Sequence, residues 1–205
     1  MQYLDLKKYF KDFTVFSLTD VKRIDAAFHR RRLNEWQDKG HIKKIIRGYY
    51  IFSDLKIDET VLFETANRIY KPSYISLETA LSYYHLIPES VYGISAVSTR
   101  RTYSFKTLIA EFSYRTIKPN LFFGYDIVSH NNKHFKIAGM EKTILDYFYL
   151  NPKIKKESDF ASLRINRDIF LAQTHEARLY NFLDKFAKKT LTKRINSFLK
   201  FIKNA

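Results

Sequence analysis

Ser17–Phe52 reads SLTDVKRIDAAFHRRRLNEWQDKGHIKKIIRGYYIF, and within it the hydrophobic period changes from that of a helix to that of a strand. Ser17 stands three residues ahead of Asp20, the spacing of a capping box that opens a short helix through Val21 and Ile24. Asp25 then suits the cap of a further helix, and Gly40 is a natural residue at which that helix stops. On a wheel of about 100° per residue, Ala26, His29, Leu33 and Trp36 fall on one side as the expected buried stripe. Ala27, Phe28, Arg31, Asn34 and Glu35 point away, with Arg32 on the flank. After Gly40, Ile42–Ile46 is rich in β-formers, Arg47-Gly48 suits a tight turn, and Tyr49–Phe52 is a second strand.

Upstream, Leu4, Leu6, Tyr9, Phe10 and Phe13 give an apolar face to an earlier helix. Three helices and a basic hairpin are the parts of a winged helix-turn-helix, expected over residues 1–56. In that arrangement the third helix lies in the major groove. Its outward residues meet base edges while neighbouring cations hold phosphates. Arg30, Arg31 and Arg32 surround this helix with guanidinium groups. Arg31 points most directly outward and is the expected base contact, with the bidentate reach that guanine requires. Arg30 and Arg32 are placed on phosphates, and Asn34 shares the outward face. Lys22 and Arg23 on the preceding helix, and Lys43, Lys44 and Arg47 on the hairpin, extend the same basic surface. A solvated basic face is the bland alternative; the position of the triplet ahead of a basic hairpin favours DNA.

Charge points the same way. The 205 residues carry 36 Lys+Arg against 21 Asp+Glu, a net +15, unevenly spread. Residues 1–56 hold 13 basic and 7 acidic side chains, 57–150 hold 10 and 9, and 151–205 hold 13 and 5. Two basic ends around a near-neutral middle favour a polyanionic partner, nucleic acid before an anionic membrane surface. There is no cysteine, which removes disulfides, thiolate metal sites and a cysteine nucleophile. No apolar run approaches the roughly 18 residues of a membrane span. Asp5, Lys7 and Lys8 stand where a signal peptide would be apolar, so a cytoplasmic location and no membrane partner are expected.

Residues 57–205 are expected to form an α+β domain with a mainly antiparallel sheet and flanking helices. Glu59–Tyr70 has a helical pattern that Pro72 ends, and Ser76 opens another helix that closes before Pro88. Strand character follows at Val91–Ser98, Thr102–Phe105, Leu108–Ile117, Phe122–Val128 and His134–Ile137, with a turn at Asn131-Asn132. Met140–Leu150 returns to helix, and the remainder is helical, ending in a segment from about Thr190 to Lys203.

Several blocks resemble one family. RGYYIF (Arg47–Phe52), PSYISLETALSYYHLIPE (Pro72–Glu89), VSTRRTYSF (Val97–Phe105), FSYRTI (Phe112–Ile117), FFGYDIV (Phe122–Val128) and IAGMEKTILDYFYL (Ile137–Leu150) are similar, in this order, to segments of the AbiEi antitoxins of type IV toxin–antitoxin and abortive-infection systems. Met140 departs from the family's usual Pro and Thr79 from its common Ser; residues 151–205 match nothing in the pattern. The resemblance implies a bacterial phage-defence antitoxin whose N-terminal winged helix binds inverted repeats in its own promoter and represses transcription. It implies a second domain that counters a nucleotidyltransferase-like toxin without forming a stable complex.

The remaining chemistry-bearing residues have ordinary readings. Glu141 favours a helix N-terminus, and Asp146, four residues after Lys142, suits a surface ion pair worth about 0.3–0.5 kcal/mol. No third acid or base joins them to make a catalytic set. His130 and His134 flank the Asn-Asn turn without a carboxylate to complete a metal site, and His41 and His85 stand alone. No phosphate loop, nucleophile elbow or zinc-helix motif occurs, so no cofactor and no enzymatic activity are expected. Arg100-Arg101 is a candidate phosphate contact in the near-neutral segment or a solvated strand end. In the last helix, Leu191, Ile195, Phe198 and Ile202 form an apolar stripe while Lys193, Arg194, Lys200 and Lys203 take the other faces. The competing class is a nucleic-acid-processing enzyme or nuclease accessory protein delivered by the winged helix; the scarcity of clustered acids argues against it. A module that binds the toxin directly is a third reading.

Overall fold

The computed structural model describes residues 1–89, 92–130 and 133–204, and the chain is α+β. Its first part runs α1 (Tyr3–Tyr9), β1 (Phe16–Ser17), α2 (Leu18–Ile24), α3 (Arg31–Asp38), β2 (Ile42–Ile46) and β3 (Tyr49–Phe52). The capping box forms as expected. The Asp20 N–H donates to Ser17 Oγ, and Asp20 Oδ2 accepts from the Ser17 N–H at 2.8 Å. β1, β3 and β2 make an antiparallel sheet in that order; β1 is too short to carry a sequence pattern. Leu6, Phe10, Phe16, Val21, Phe28, Leu33, Trp36, Ile42, Tyr50 and Phe52 pack beneath it.

Two expectations fail here. Asp25 closes α2 instead of opening the next helix, which starts six residues later at Arg31. A continuous helix from Ala26 would hold Phe28 on the solvent side. The turn at Ala26-Ala27 lets that ring pack 5.5 Å from Trp36, a burial worth about 1.5–3 kcal/mol. His29 is correspondingly exposed, not part of the buried stripe. In α1, Leu4 (76% exposed) and Tyr9 also stay in solvent, because seven residues offer too few turns to bury both sides.

The chain continues through α4 (Glu59–Ile69), β4 (Ser73–Ile75), α5 (Leu77–Tyr83), β5 (Gly93–Ser98), β6 (Tyr103–Lys106), β7 (Glu111–Thr116), β8 (Tyr125–His130), β9 (Lys133–Ala138) and α6 (Met140–Leu150). It ends with α7 (Glu157–Ser162), α8 (Arg167–Gln173), α9 (Glu176–Phe186) and α10 (Lys189–Asn204). The expected turn at Asn131-Asn132 and the expected strand start at Val91 lie outside the described residues. Six strands form a sheet in the order β6-β7-β5-β4-β9-β8. It is mixed where a mainly antiparallel sheet was expected: β5–β7 and β4–β9 pair in parallel. Hydrophobic alternation is the same for both pairings, so only the routing of β6 to the edge and of β9 beside β4 decides it.

Alternation along these strands feeds two cores. Ile75, Ile94, Ala96, Phe112, Tyr114, Phe135 and Ile137 face one, where Phe63, Ala66 and Ile69 of α4 join Val15, Ile45 and Ile51 from the first part of the chain. Tyr74, Val97 and Ala138 face the other, which α6, α9 and α10 complete. The N-terminal elements and α10 therefore lie on opposite sides of the sheet. Among the described residues no helix is long and apolar enough to cross a membrane.

Candidate nucleic-acid interface

α3 exposes Arg31 and Asn34 and turns Leu33 and Trp36 into the core, as its spacing dictates. The Arg31 side chain is 88% exposed, with its Nε 3.3 Å from Glu35 one turn along the helix. Arg30 precedes the first turn and is exposed. Arg32 is different: half-buried, it donates to the Met1 carbonyl and is already engaged in holding the N-terminal segment. On α2, Lys22 and Arg23 are exposed, and Arg23 lies 4.0 Å from Asp20.

Adjacent residues on a regular strand face opposite ways, yet Lys43 and Lys44 are both exposed. Both are in regular register with β3, opposite Ile51 and Tyr50, and the irregularity comes only after Lys44, so they lie on opposite faces of the hairpin and both of those faces are open to solvent there. Arg47 is exposed at the hairpin turn, where Gly48 takes φ +88°. The first part of the chain thus presents Lys22, Arg23, Arg30, Arg31, Asn34, Lys43, Lys44 and Arg47 to solvent.

Arg100 and Arg101 belong to the larger sheet, between β5 and β6. Arg100 sits 4.5 Å above the Tyr70 ring, and Arg101 6.0 Å from that of Tyr103. Their carbonyls accept from Thr116 Oγ1 and Tyr70 Oη, so the segment is fixed at both residues.

The sequence reading missed Arg68, which ties the two parts of the chain together. Its guanidinium contacts Asp20 at 3.2 Å and covers the Phe13 ring at 4.7 Å. Burial by itself raises the Asp20 carboxyl. Hydrogen bonds from Ser17 and the Arg68 charge outweigh it and hold the group below its ordinary range. A lone Arg inside an amphipathic helix gives no sequence signal for such a contact.

A second basic surface lies between α6 and α10. Lys155, Lys188, Lys193, Arg194, Thr190 and Ser197 line a groove of about 440 Å³. Lys188 Nζ stands 5.1 Å from the Tyr149 ring. Arg194 does not take a solvent face as its helical position suggested. It is buried, and Nη1 donates to the Asn151 and Ile154 carbonyls at 3.2 Å, so it closes the end of α6.

The surface ion pair expected between Lys142 and Asp146 is a pair, but it is fully buried. Asp146 also accepts from Tyr74 Oη at 2.8 Å and Ser76 Oγ at 3.1 Å. Burial lowers the Lys142 pKa and raises that of Asp146, against their mutual attraction. Glu141 is buried too: Arg178 donates to its Oε2 from Nε at 2.9 Å, and the His175 N–H to Oε1 at 2.8 Å. Both carboxylates of this helix are structural anchors. A 3.6-residue period cannot distinguish a helix buried all round from one with a wet side, which is why the pair was misplaced. His134 Nδ1 bonds Ser129 Oγ at 2.8 Å, and no group of three metal-ligating side chains occurs among the described residues. No protein-family model matches the chain, and no curated protein matches it in sequence.

Proposed function

We propose that the chain is a sequence-specific DNA-binding autorepressor and antitoxin of the AbiEi kind, with residues 1–56 as its winged helix-turn-helix. The observation that carries this reading is the exposed α3 face of Arg31 and Asn34, preceded by exposed Arg30, beside a hairpin on which Lys43, Lys44 and Arg47 are all exposed. The order β1-β3-β2 next to α2 and α3 supports the same assignment. α3 enters the major groove, Arg31 reads a base edge, and Lys22, Arg23, Arg30, Lys43, Lys44 and Arg47 hold phosphates. Arg32, tied to Met1, positions the helix start. Inverted repeats in the chain's own promoter are the expected operator, and a nucleotidyltransferase-like toxin is the functional partner, opposed without a stable complex. The reading assigns the chain no reaction and no cofactor.

A mobility shift with the DNA upstream of the gene, against a scrambled duplex at two salt concentrations, tests it. Retention of the natural duplex that survives added salt supports a sequence-specific repressor. Equal, salt-sensitive retention of both duplexes leaves only a basic protein and sinks the proposal.

A further inference from the structure

The groove beside α10 is built from cations that have found no carboxylate. Lys155, in the loop after α6, and Lys188 and Lys193 are exposed, and among the described residues no ion pair engages them or Arg194. Other cations of the same helical region do pair: Arg164 with Glu89, Arg178 with Glu141 and Lys203 with Glu176. Thr190, Lys193, Arg194 and Ser197 recur at i, i+3, i+4 and i+7, so one face of α10 makes a wall of the groove. Arg194 is its fixed point and is 7% exposed. Its Nη1 is occupied by the Asn151 and Ile154 carbonyls, whereas Nε and Nη2 make no hydrogen bond among the described residues and are not sealed from solvent. Burial lowers the Arg194 pKa, and no neighbouring charge offsets it. The carbonyls at the end of α6 supply only partial negative charge, so this buried guanidinium lacks a counter-ion.

Aromatic rings stand among these cations. Lys188 Nζ lies 5.1 Å from the Tyr149 ring, and Lys185 Nζ lies 4.7 Å from that of Phe123 and 5.5 Å from that of Phe182. The three rings are half-buried, and a ring contact holds an ammonium group without using its N–H donors. Cations spread along an open groove suit an occupant that brings several negative charges in a row. A phosphodiester chain does so at every nucleotide, and its bases have faces to lay on half-buried rings. An acidic peptide brings the charge without the bases. At about 440 Å³ the groove is the size of a small-molecule site, which admits the backbone of one strand and not the body of a duplex.

We propose that the groove between α6 and α10 binds single-stranded nucleic acid by its phosphodiester backbone, at a site separate from the α3 face and independent of the DNA-binding reading of that face. Lys155, Lys188 and Lys193 hold phosphates, and the phosphate nearest Arg194 is its missing counter-ion. The test is fluorescence anisotropy of the full chain with a labelled oligouridylate of about twelve nucleotides and, separately, with a scrambled DNA duplex of the same length. Lys188→Glu/Lys193→Glu is expected to weaken the single strand tenfold or more and the duplex by less than threefold. Lys155→Glu, on a different element, should weaken the single strand as well, so the result stands even if the α10 variant unfolds, which a thermal melt reports. Lys56→Glu/Lys71→Glu makes the same change in charge at exposed positions flanking α4, on the other side of the sheet, and should leave the single strand within threefold. An equal loss there would reduce the binding to net charge and overturn the site. Equal losses of strand and duplex in the groove variant, or displacement of the strand by oligoglutamate as effectively as by unlabelled oligouridylate, would overturn the single-strand assignment. Single-strand affinity that neither groove variant changes overturns the proposal outright.

Discussion

Lys142 and Asp146 meet where neither side chain reaches water, and the rings of Tyr74, Phe123 and Phe186 surround the ammonium at 5.1–5.4 Å. Removing two charges from water costs more than their attraction commonly returns. The pair therefore specifies one arrangement of α6 against β4 more than it adds stability. Losing one partner is another matter, since the survivor is a bare charge in a dry core. Lys142→Met is expected to cost about 3–5 kcal/mol. In Lys142→Met/Asp146→Asn the amide oxygen still accepts from Tyr74 and Ser76, so the double variant should be more stable than Lys142→Met alone. Urea melts of the single and double variants measure the difference; a double variant as unstable as the sum of both singles would mean the two charges are not coupled and would sink this account of the pair.

At the scale of elements, α2 is fixed at its start by Ser17 and Asp20, and Asp20 is also the anchor of Arg68. A carboxyl held below its ordinary pKa of 3.8 contributes stability that is present above that value and is lost as pH falls through its lower folded value. Asp20→Asn should flatten the acid limb of the stability profile below 3.8 while lowering stability at neutral pH, which melts from pH 2 to 7 will show. α3 and the hairpin are expected to divide recognition between them. Arg31→Ala should relax specificity at one operator position, at a cost of about 1–3 kcal/mol for the cognate base. Lys43→Ala should weaken all duplexes alike and reduce the salt slope by about one. Operator libraries titrated at several salt concentrations separate the two, and a uniform loss in both variants removes Arg31 from base reading.

For the molecule as a whole, the sheet decides which charges act together. The α3 side and the groove beside α10 face away from one another across it, and at physiological salt a charge is felt over about 8 Å. Charge reversal in the groove, as in Lys188→Glu/Lys193→Glu, is therefore expected to leave operator affinity within about threefold at 0.15 M salt. A loss as large as that from substitutions on α3 would show that one duplex touches both surfaces, contrary to the arrangement of the two cores.

The capping box, the β2–β3 hairpin, the span of α6 and the charge-rich ends follow from local spacing alone, because caps, turns and periodicity act over four or five residues. Helix-compatible residues between Asp25 and Arg31 did not disclose that Phe28 gains more from burial beside Trp36 than from a continuous helix. Nor did the i,i+4 spacing of Lys142 and Asp146 disclose their depth, since burial depends on what α9, α10 and β4 place around them. Parallel pairing of β4 with β9 and the separation of the two basic surfaces arise between residues tens of positions apart. Those are properties of chain routing and packing, which only the tertiary structure decides.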